Sequence, residues 1–219
     1  EIGSGLVGSE MCIRDRYNVA APLADGAHTV SATATDTAGN VSATATPRSF
    51  TVDTAAPAIP TGIALTAATD TGASASDGVT GNNQPTLTGA ASAGSLVTVY
   101  IDGSAVGTTT ADGNGVWQYN VATPLIDGAH TVSATATDTA GNVSAATAFA
   151  TFTVDTTAPQ VQAVTAQNTL TGAQGQVGYN ISFTKPVQTL SASELQALVT
   201  GNVQANIVSA VSYTHLTLP

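Results

Sequence analysis

Aspartate is the residue type through which this chain could do chemistry. The sequence holds 14 Asp and Glu against four Lys and Arg, and its formal net charge is −10. No Lys or Arg occurs between Arg48 and Lys185, so we expect the carboxylates of that stretch to have no basic counter-ions within the protein. Carboxylate oxygens are ligands that Ca²⁺ prefers, paired carboxylates can hydrolyse glycosidic bonds, and an Asp before Gly often only forms a turn. The positions of the aspartates must decide among these roles.

A segment of 41 residues occurs twice in the chain, 102 positions apart, without an insertion or deletion. Residues 17–57 and 119–159 differ at nine positions and are identical at the other 32. A period of about 100 residues is the size of one small domain and exceeds the period of about 20 to 50 residues found in solenoids. The sequence therefore predicts a slice of a tandem array of domains.

Both ends of the chain differ in composition from the repeats. Residues 1–16 contain the only Met, the only Cys and two of the four basic residues. They resemble translated sequencing-adapter read-through, as do residues 211–219, and we interpret both as non-native termini. The remaining chain is predicted to contain the end of a first repeat (17–56), one complete repeat (57–155) and the start of a third, divergent module (156–210).

The complete repeat consists of short β-branched stretches with turn signals about every 8 to 12 residues, a pattern typical of a sandwich or barrel. The first predicted strands are 63–67, 84–89, 96–101 and 105–110. Asp102-Gly103 lies between the last two and predicts a two-residue hairpin turn, because such a turn needs positive φ angles. About seven antiparallel strands in about 100 residues favour an all-β, immunoglobulin-like β-sandwich.

Alternation of apolar and polar residues predicts the buried face of the later strands. The residues predicted to point inward or to lie on these strands are Trp117, Tyr119, Val121, Val132, Ala134, Ala136, Phe149, Phe152 and Val154. The Ser and Thr residues between Val132 and Ala136 are predicted to point outward. His28 and His130 occupy the same repeat position, and we expect them to hold the loop corner that precedes their strand.

The repeated motif DGAHTVSATATDTAGNVS, followed by FTVDTTAP, resembles the bacterial immunoglobulin-like repeats of large surface adhesins and biofilm-associated proteins. The resemblance covers residues 17–160, and residues 161–210 are similar to a different immunoglobulin-like module type. It implies a stiff stalk at the bacterial cell surface, whose partners are the neighbouring repeats and which often carries calcium at the domain junctions. The ligand of the distal region stays open.

The predicted strand directions sort the loop aspartates onto two ends of the module. One end carries Asp70, Asp77, Asp102, Asp127 and Asp155, and the other carries Asp112, Asp138 and Asn142. End-to-end stacking would bring Asp25 and Asp53 toward Asp112, Asp138 and Asn142 at the first junction. At the second junction it would gather Asp70, Asp77, Asp127 and Asp155.

Crowded carboxylates without a counter-ion repel one another, and a cation with six to eight oxygen ligands removes that repulsion. We therefore expect Ca²⁺ at the junctions, with Asp53, Asp70, Asp77, Asp127, Asp138, Asn142 and Asp155 as candidate ligands. The alternative is that these aspartates are turn formers and local caps. The sequence contains no D-x-[DN]-x-[DN]-G calcium loop, so both roles stay open.

Several functional classes do not fit the sequence. The acidic net charge excludes a basic nucleic-acid-binding surface, and no apolar run reaches the about 18 residues of a membrane-spanning helix. No G-x-S-x-G nucleophile motif is present, and the acidic pair Asp25/Asp127 recurs with the repeat, which catalytic pairs seldom do. We expect no catalytic residues and a structural extender of an adhesin or biofilm protein. The alternative is a spacer module within a secreted polysaccharide-degrading enzyme.

Overall fold

A computed structural model describes residues 17–166 and 179–187 of the chain. Within these residues every regular element is a β-strand, so the predicted all-β class is confirmed. The chain divides into two compact units, one up to Ala55 and one from Ala56 onward. The two predicted non-native termini, 1–16 and 211–219, lie outside the described residues, as does the predicted third module beyond residue 187.

The described part of the first unit, residues 17–55, contains one antiparallel pair of strands, β1 (Gly26–Val30) and β2 (Arg48–Val52). His28 of β1 lies opposite Phe50 of β2, and their rings stack with centroids 5.6 Å apart. These residues correspond to His130 and Phe152 of the second copy, whose ring centroids are also 5.6 Å apart. The two copies therefore share local geometry as well as sequence.

The second unit is built mainly from a five-stranded sheet and a three-stranded sheet. The larger sheet contains β4 (Val79–Thr80), β6 (Leu96–Ile101), β7 (Ser104–Thr110), β9 (Gly128–Thr137) and β10 (Ala150–Val154), in the order β4-β10-β9-β6-β7. The smaller sheet contains β3 (Thr61–Leu65), β5 (Thr86–Ala90) and β8 (Val116–Asn120), in the order β3-β5-β8. A further pair, β11 (Val161–Ala166) and β12 (Tyr179–Phe183), follows the repeat.

The pairings agree with the predicted sandwich. All the ladders are antiparallel except the short contact of β4 with β10, which is parallel. Residues 57–155 contain eight strands, one more than the predicted number, because the two-residue β4 has too few residues to leave a periodic signal. The predicted hairpin turn is present, with φ of 51° at Asp102 and 77° at Gly103.

The core lies between the two sheets and is centred on Trp117, which is 1% exposed. Val97, Val99 and Ile101 of β6 are buried, and so are the predicted inward residues Val121, Val132, Ala134 and Ala136. Gly89 makes room for the indole, because a Cβ there would lie 2.6 Å from a Trp117 ring carbon. The indole of Trp117 thus packs directly against the backbone at Gly89, where there is no side chain.

Three predictions about the strands are wrong in detail. Phe149 was predicted to lie on the last strand, but it precedes β10 and is 67% exposed, because β10 pairs with β9 only from Ala150 onward. Ser133 is buried; it lies opposite Tyr100 in the centre of the sheet, where larger neighbours shield a small side chain. Tyr119 is only half-buried, and its hydroxyl donates to the Val106 carbonyl oxygen at 2.6 Å.

Candidate functional site

The register of the larger sheet brings the ends of two strands together at the linker that follows the repeat. Val154, the last residue of β10, lies opposite Gly128, the first residue of β9. Asp127 precedes Gly128, and Asp155 follows Val154. The structure thus places these two predicted site residues at the same end of the module.

Asp127 holds the linker through both of its carboxylate oxygens. Oδ1 accepts hydrogen bonds from the Thr156 amide at 3.0 Å and from the Thr156 hydroxyl at 2.7 Å. Oδ2 accepts one from the Thr157 hydroxyl at 2.7 Å. The hydrogen bonds from the Thr157 hydroxyl and from Thr156 lower the pKa of Asp127 to about 2. We call Asp127, Thr156 and Thr157 the linker clasp.

The first copy contains the same contact. Asp25 Oδ1 accepts hydrogen bonds from the Thr54 amide at 3.0 Å and from the Thr54 hydroxyl at 2.9 Å. Ala55 occupies the position of Thr157 and has no hydroxyl to donate. The repeated motifs DGAH and VDT are therefore two halves of one contact, and sequence reasoning missed this role for Asp25 and Asp127. Their recurrence at a fixed spacing of 29 residues from Thr54 and Thr156 was the available signal.

Asp155 has a basic partner, which contradicts the expectation that these carboxylates lack counter-ions. The Lys185 ammonium group donates to Asp155 Oδ1 and to the Thr157 carbonyl oxygen, the latter at 2.6 Å. The hydrogen bond from Lys185 lowers the pKa of Asp155. Lys185 reaches the linker because the preceding residue, Thr184, is bound to Gln160. The Thr184 amide donates to the Gln160 carbonyl oxygen, and the Gln160 amide donates to the Thr184 hydroxyl, each at 2.9 Å. The prediction was wrong because Lys185 lies 30 residues after Asp155 in the sequence and approaches it only through the fold.

Asp138 and Asn142 lie at the opposite end of the module and form a turn together. Asp138 Oδ1 accepts hydrogen bonds from the amides of Ala140 and Asn142, at 2.8 and 2.9 Å. Oδ2 accepts one from the Asn142 side-chain amide at 2.9 Å, and this bond is the main cause of the lowered pKa of Asp138. In the first unit, Asp53 Oδ1 accepts a hydrogen bond from the Ala55 amide at 3.0 Å.

Asp70 and Asp77 lie in the loop between β3 and β4 and line one cavity of about 270 Å³. Asp77 accepts hydrogen bonds from the amides of Val79 and Ser74, at 3.0 and 3.2 Å. Asp70 is only 5% exposed. Its Oδ2 accepts a hydrogen bond from the Gly78 amide at 3.1 Å, and its buried Oδ1 has no hydrogen-bond partner. An oxygen in this position is suited to a cation or to a water molecule.

The candidate ligands do not converge on one point. Across residues 17–166 and 179–187, no group of three or more His, Cys, Asp and Glu side chains is arranged to hold a metal ion. The candidates instead form three local groups: Asp70 with Asp77, Asp127 with Asp155, and Asp138 with Asn142. Asp53 belongs to the other unit. A calcium ion at any group would need carbonyl, hydroxyl or water oxygens to complete its six to eight ligands.

His130 occupies the predicted loop corner and has a second partner that the sequence did not indicate. Its Nε2 lies 2.8 Å from the Ile126 carbonyl oxygen, and its Nδ1 lies 2.7 Å from Asp102 Oδ2. His28 makes the equivalent corner contact, with Nε2 2.7 Å from the Ala24 carbonyl oxygen. The expected corner role is confirmed for both histidines.

The described residues contain no helix long and apolar enough to cross a membrane. The bacterial Ig-like domain family matches residues 14–54 and 57–156, which together are more than half of the chain. The chain belongs to the bacterial Ig-like domain family. The predicted resemblance is thereby confirmed at the level of the family, and the bacterial Ig-like fold explains why one repeat forms a sandwich of two sheets.

One solved structure similar to this bacterial Ig-like chain is the crystal structure of a tetra-tandem repeat in the extending region of a large adhesion protein. The sequence identity is 23% and the TM-score 0.36, and the match covers 66% of this chain. The chain spans only 35% of the length of that protein chain. No curated protein matches this chain.

Proposed function

We propose that these bacterial Ig-like repeats are extender modules of a stalk, in an adhesin or biofilm protein at the bacterial cell surface. Their partners in this proposal are the neighbouring repeats of the same chain, and their task is to hold a distal region away from the cell. The observation that carries the proposal is the contact between Asp25 and Thr54, repeated between Asp127 and Thr156. A stalk requires each linker to be held, and each copy holds its linker in the same way.

The linker clasp supports a mechanical role through the positions of its parts. Asp127 belongs to the loop before β9, whereas Thr156 and Thr157 follow β10, so their hydrogen bonds attach the linker to its own module. Pro159 follows two residues later and fixes φ at that position. Fewer backbone conformations are then available to the linker, which lowers the entropy cost of an extended arrangement.

Calcium is the second part of this proposal. The unpartnered, buried Oδ1 of Asp70 beside Asp77 supports a cation in that loop, with Asp127 and Asp155 as the carboxylates nearer the linker. Asp53 of the first unit and Asp138 with Asn142 of the second unit are the other calcium ligands that we propose, each in a loop of its own module. Extracellular modules bind calcium at about 10⁻⁴ to 10⁻³ M, so millimolar calcium would stabilise a site by about 1 to 2 kcal/mol. Such an energy suits the stiffening of a joint better than the folding of a domain.

Distances between spin labels on the two units test the stalk proposal. Cys12 is first replaced by Ser, and single cysteines are then introduced at the exposed positions Ser49 and Thr108 in the full chain. A held linker predicts a narrow distance distribution that broadens in Asp25→Ala. Thr29→Ala, on exposed β1 and outside the linker contact, is the matched control. A broad distribution that Asp25→Ala leaves unchanged would contradict the proposal.

Isothermal calorimetry with calcium chloride tests the cation separately. We expect heat of binding in the full chain, a loss of affinity in Asp70→Asn, and unchanged binding in the control Asp112→Asn, which removes the same charge from a loop at the other end. Absence of binding at millimolar calcium would overturn the calcium part and leave the linker clasp standing.

A further inference from the structure

His130 presents both ring nitrogens to hydrogen-bond acceptors. Nδ1 lies 2.7 Å from the Asp102 carboxylate and Nε2 lies 2.8 Å from the Ile126 carbonyl oxygen. The ring is 5% exposed and packs against Phe152, with ring centroids 5.6 Å apart. Water therefore has little access to replace a lost partner.

Only the protonated ring satisfies this arrangement. A neutral imidazole carries one N–H and one lone pair, whereas an imidazolium carries two N–H donors. With a neutral ring, one nitrogen lone pair would point at an acceptor oxygen less than 3 Å away, which is repulsive. The geometry itself therefore selects the charged form of His130.

The charged surroundings of the ring are simple. Asp102, from the turn between β6 and β7, is its one charged partner in the described parts of the chain. The loop before β9 offers the Ile126 carbonyl oxygen, and β10 offers the aromatic ring of Phe152. Asp102 Oδ1 accepts a hydrogen bond from the Thr131 amide at 2.9 Å. This bond fixes the orientation of the carboxylate independently of the histidine.

We propose that His130 and Asp102 form a proton-dependent clasp, which joins the β6–β7 turn to the loop before β9 when His130 is protonated. The loop end held by His130 is Ile126, and the next residue, Asp127, binds the linker. Loss of the proton removes one hydrogen bond from this corner and loosens the support of the linker clasp. The joint is therefore stiffer in mildly acidic conditions. The titration of the ring is independent of the proposed stalk function, whereas its effect on the linker rests on it.

The direction of the effect follows from the pKa of His130. Burial of the ring lowers this pKa, but the Ile126 carbonyl and the Asp102 carboxylate outweigh burial and raise it above the ordinary 6.5. A raised pKa in the folded state means that the stabilisation is complete below about pH 6.5 and is lost as the pH rises through the folded pKa. The opposite dependence would apply to a histidine buried in its neutral form.

His28 provides an internal comparison. It makes the same corner contact, with the Ala24 carbonyl oxygen at 2.7 Å. In the described residues its Nδ1 has no carboxylate partner corresponding to Asp102. His28 therefore serves as a control whose ring lies far from Asp102 in the sequence and should not be affected when Asp102 is replaced.

NMR titration of the histidine ring nitrogens in the full chain tests the clasp. We expect both ring nitrogens of His130 to be protonated at pH 6, and we expect Asp102→Asn to lower the His130 pKa because the carboxylate no longer favours the charged ring. The ring-nitrogen signals of His28 should not change in Asp102→Asn. A neutral His130 ring at pH 6, or a His130 pKa unaffected by Asp102→Asn, would overturn the proposal.

Thermal unfolding between pH 6 and pH 8.5 provides the second readout. The midpoint of the second unit should fall with rising pH in the wild-type chain, and this fall should be absent in His130→Gln and in His130→Tyr. The tyrosine variant retains an aromatic ring, so it keeps the test valid if His130→Gln does not fold. The protection factor of the Thr156 amide, which corrects its exchange rate for the intrinsic increase with pH, should fall over the same pH range in the wild type and not in His130→Gln. A wild-type unfolding midpoint that does not change with pH would contradict the proposed proton-dependent contact between His130 and Asp102.

Discussion

The Thr156 amide and hydroxyl both donate to one carboxylate oxygen of Asp127, 29 residues earlier, at 3.0 and 2.7 Å. The same pair of donors reaches Asp25 from Thr54 in the first copy. Nine of the 41 repeated positions differ between the copies, and none of them alters this contact. An aspartate that sequence reasoning assigned to a cation thus first serves as an anchor for the chain that follows it.

Removal of one donor of the linker clasp should loosen the linker less than removal of its acceptor, Asp127. Thr157→Ala reproduces the first copy, where Ala55 stands, and should change amide exchange at residues 156 and 157 little. Asp127→Ala removes all three hydrogen bonds, including the one from the Thr156 amide, and should accelerate exchange of the Thr156 amide several-fold more than Thr157→Ala does. Hydrogen–deuterium exchange of the full chain measures both. Equal exchange in the two variants would contradict the anchor role.

Acid should destabilise the second unit below about pH 4. The pKa values of Asp102, Asp127, Asp138 and Asp155 are all lowered by hydrogen bonds that the carboxylates accept in the fold. Their stabilisation is therefore present above the ordinary value of 3.8 and is lost as the pH falls toward the folded pKa, which is about 2 for Asp127. Thermal unfolding from pH 5 to pH 2 measures this loss. A midpoint that stays constant over this range would exclude the predicted linkage.

Gly89 should not tolerate a side chain. A Cβ at this position would lie 2.6 Å from a Trp117 ring carbon, so Gly89→Ala forces the buried indole to move and should cost about 1–3 kcal/mol of unfolding free energy. Gly113→Ala is the control, because a Cβ there meets no atom within 4 Å. Urea unfolding of the full chain measures both. Equal stability of the two variants would show that the core yields easily around Trp117.

Loss of Lys185 should change the pKa of Asp155 without a large change in the stability of the fold. The pair is partly exposed, with side chains 29% and 43% accessible, and an ion pair that water and salt screen contributes little to stability. Lys185→Gln should therefore leave the unfolding midpoint nearly unchanged while the pKa of Asp155 rises toward its ordinary value, as carboxyl carbon NMR would show. Arg48→Gln, in the other unit, is the charge-matched control. An Asp155 pKa that does not respond to Lys185→Gln would mean that the ion pair is not formed in solution.

Sequence periodicity was sufficient to predict most of the fold. The buried positions of Val132, Ala134 and Ala136 and the Asp102-Gly103 turn depend on local chemistry, and both were predicted correctly, whereas Ser133 was wrongly predicted to point outward. Contacts between loops were not predictable. Asp102 contacts His130 and Asp155 contacts Lys185 because of the strand register and the path of the loops, neither of which local sequence patterns specify. The burial of Asp70 was missed for the same reason, since neighbouring polar residues made its loop look solvent-exposed.

Small-angle X-ray scattering of the full chain most directly tests the central claim that these repeats form a stalk with held linkers. Profiles would be recorded for the wild type and for Asp25→Ala/Asp127→Ala, each in excess chelator and in millimolar calcium. We expect an extended wild type whose maximum dimension increases further with calcium, and a double variant that is shorter on average and more variable in shape. Identical profiles for the two proteins would contradict the claim, because the aspartates that bind the linkers would then have no effect on the shape of the array.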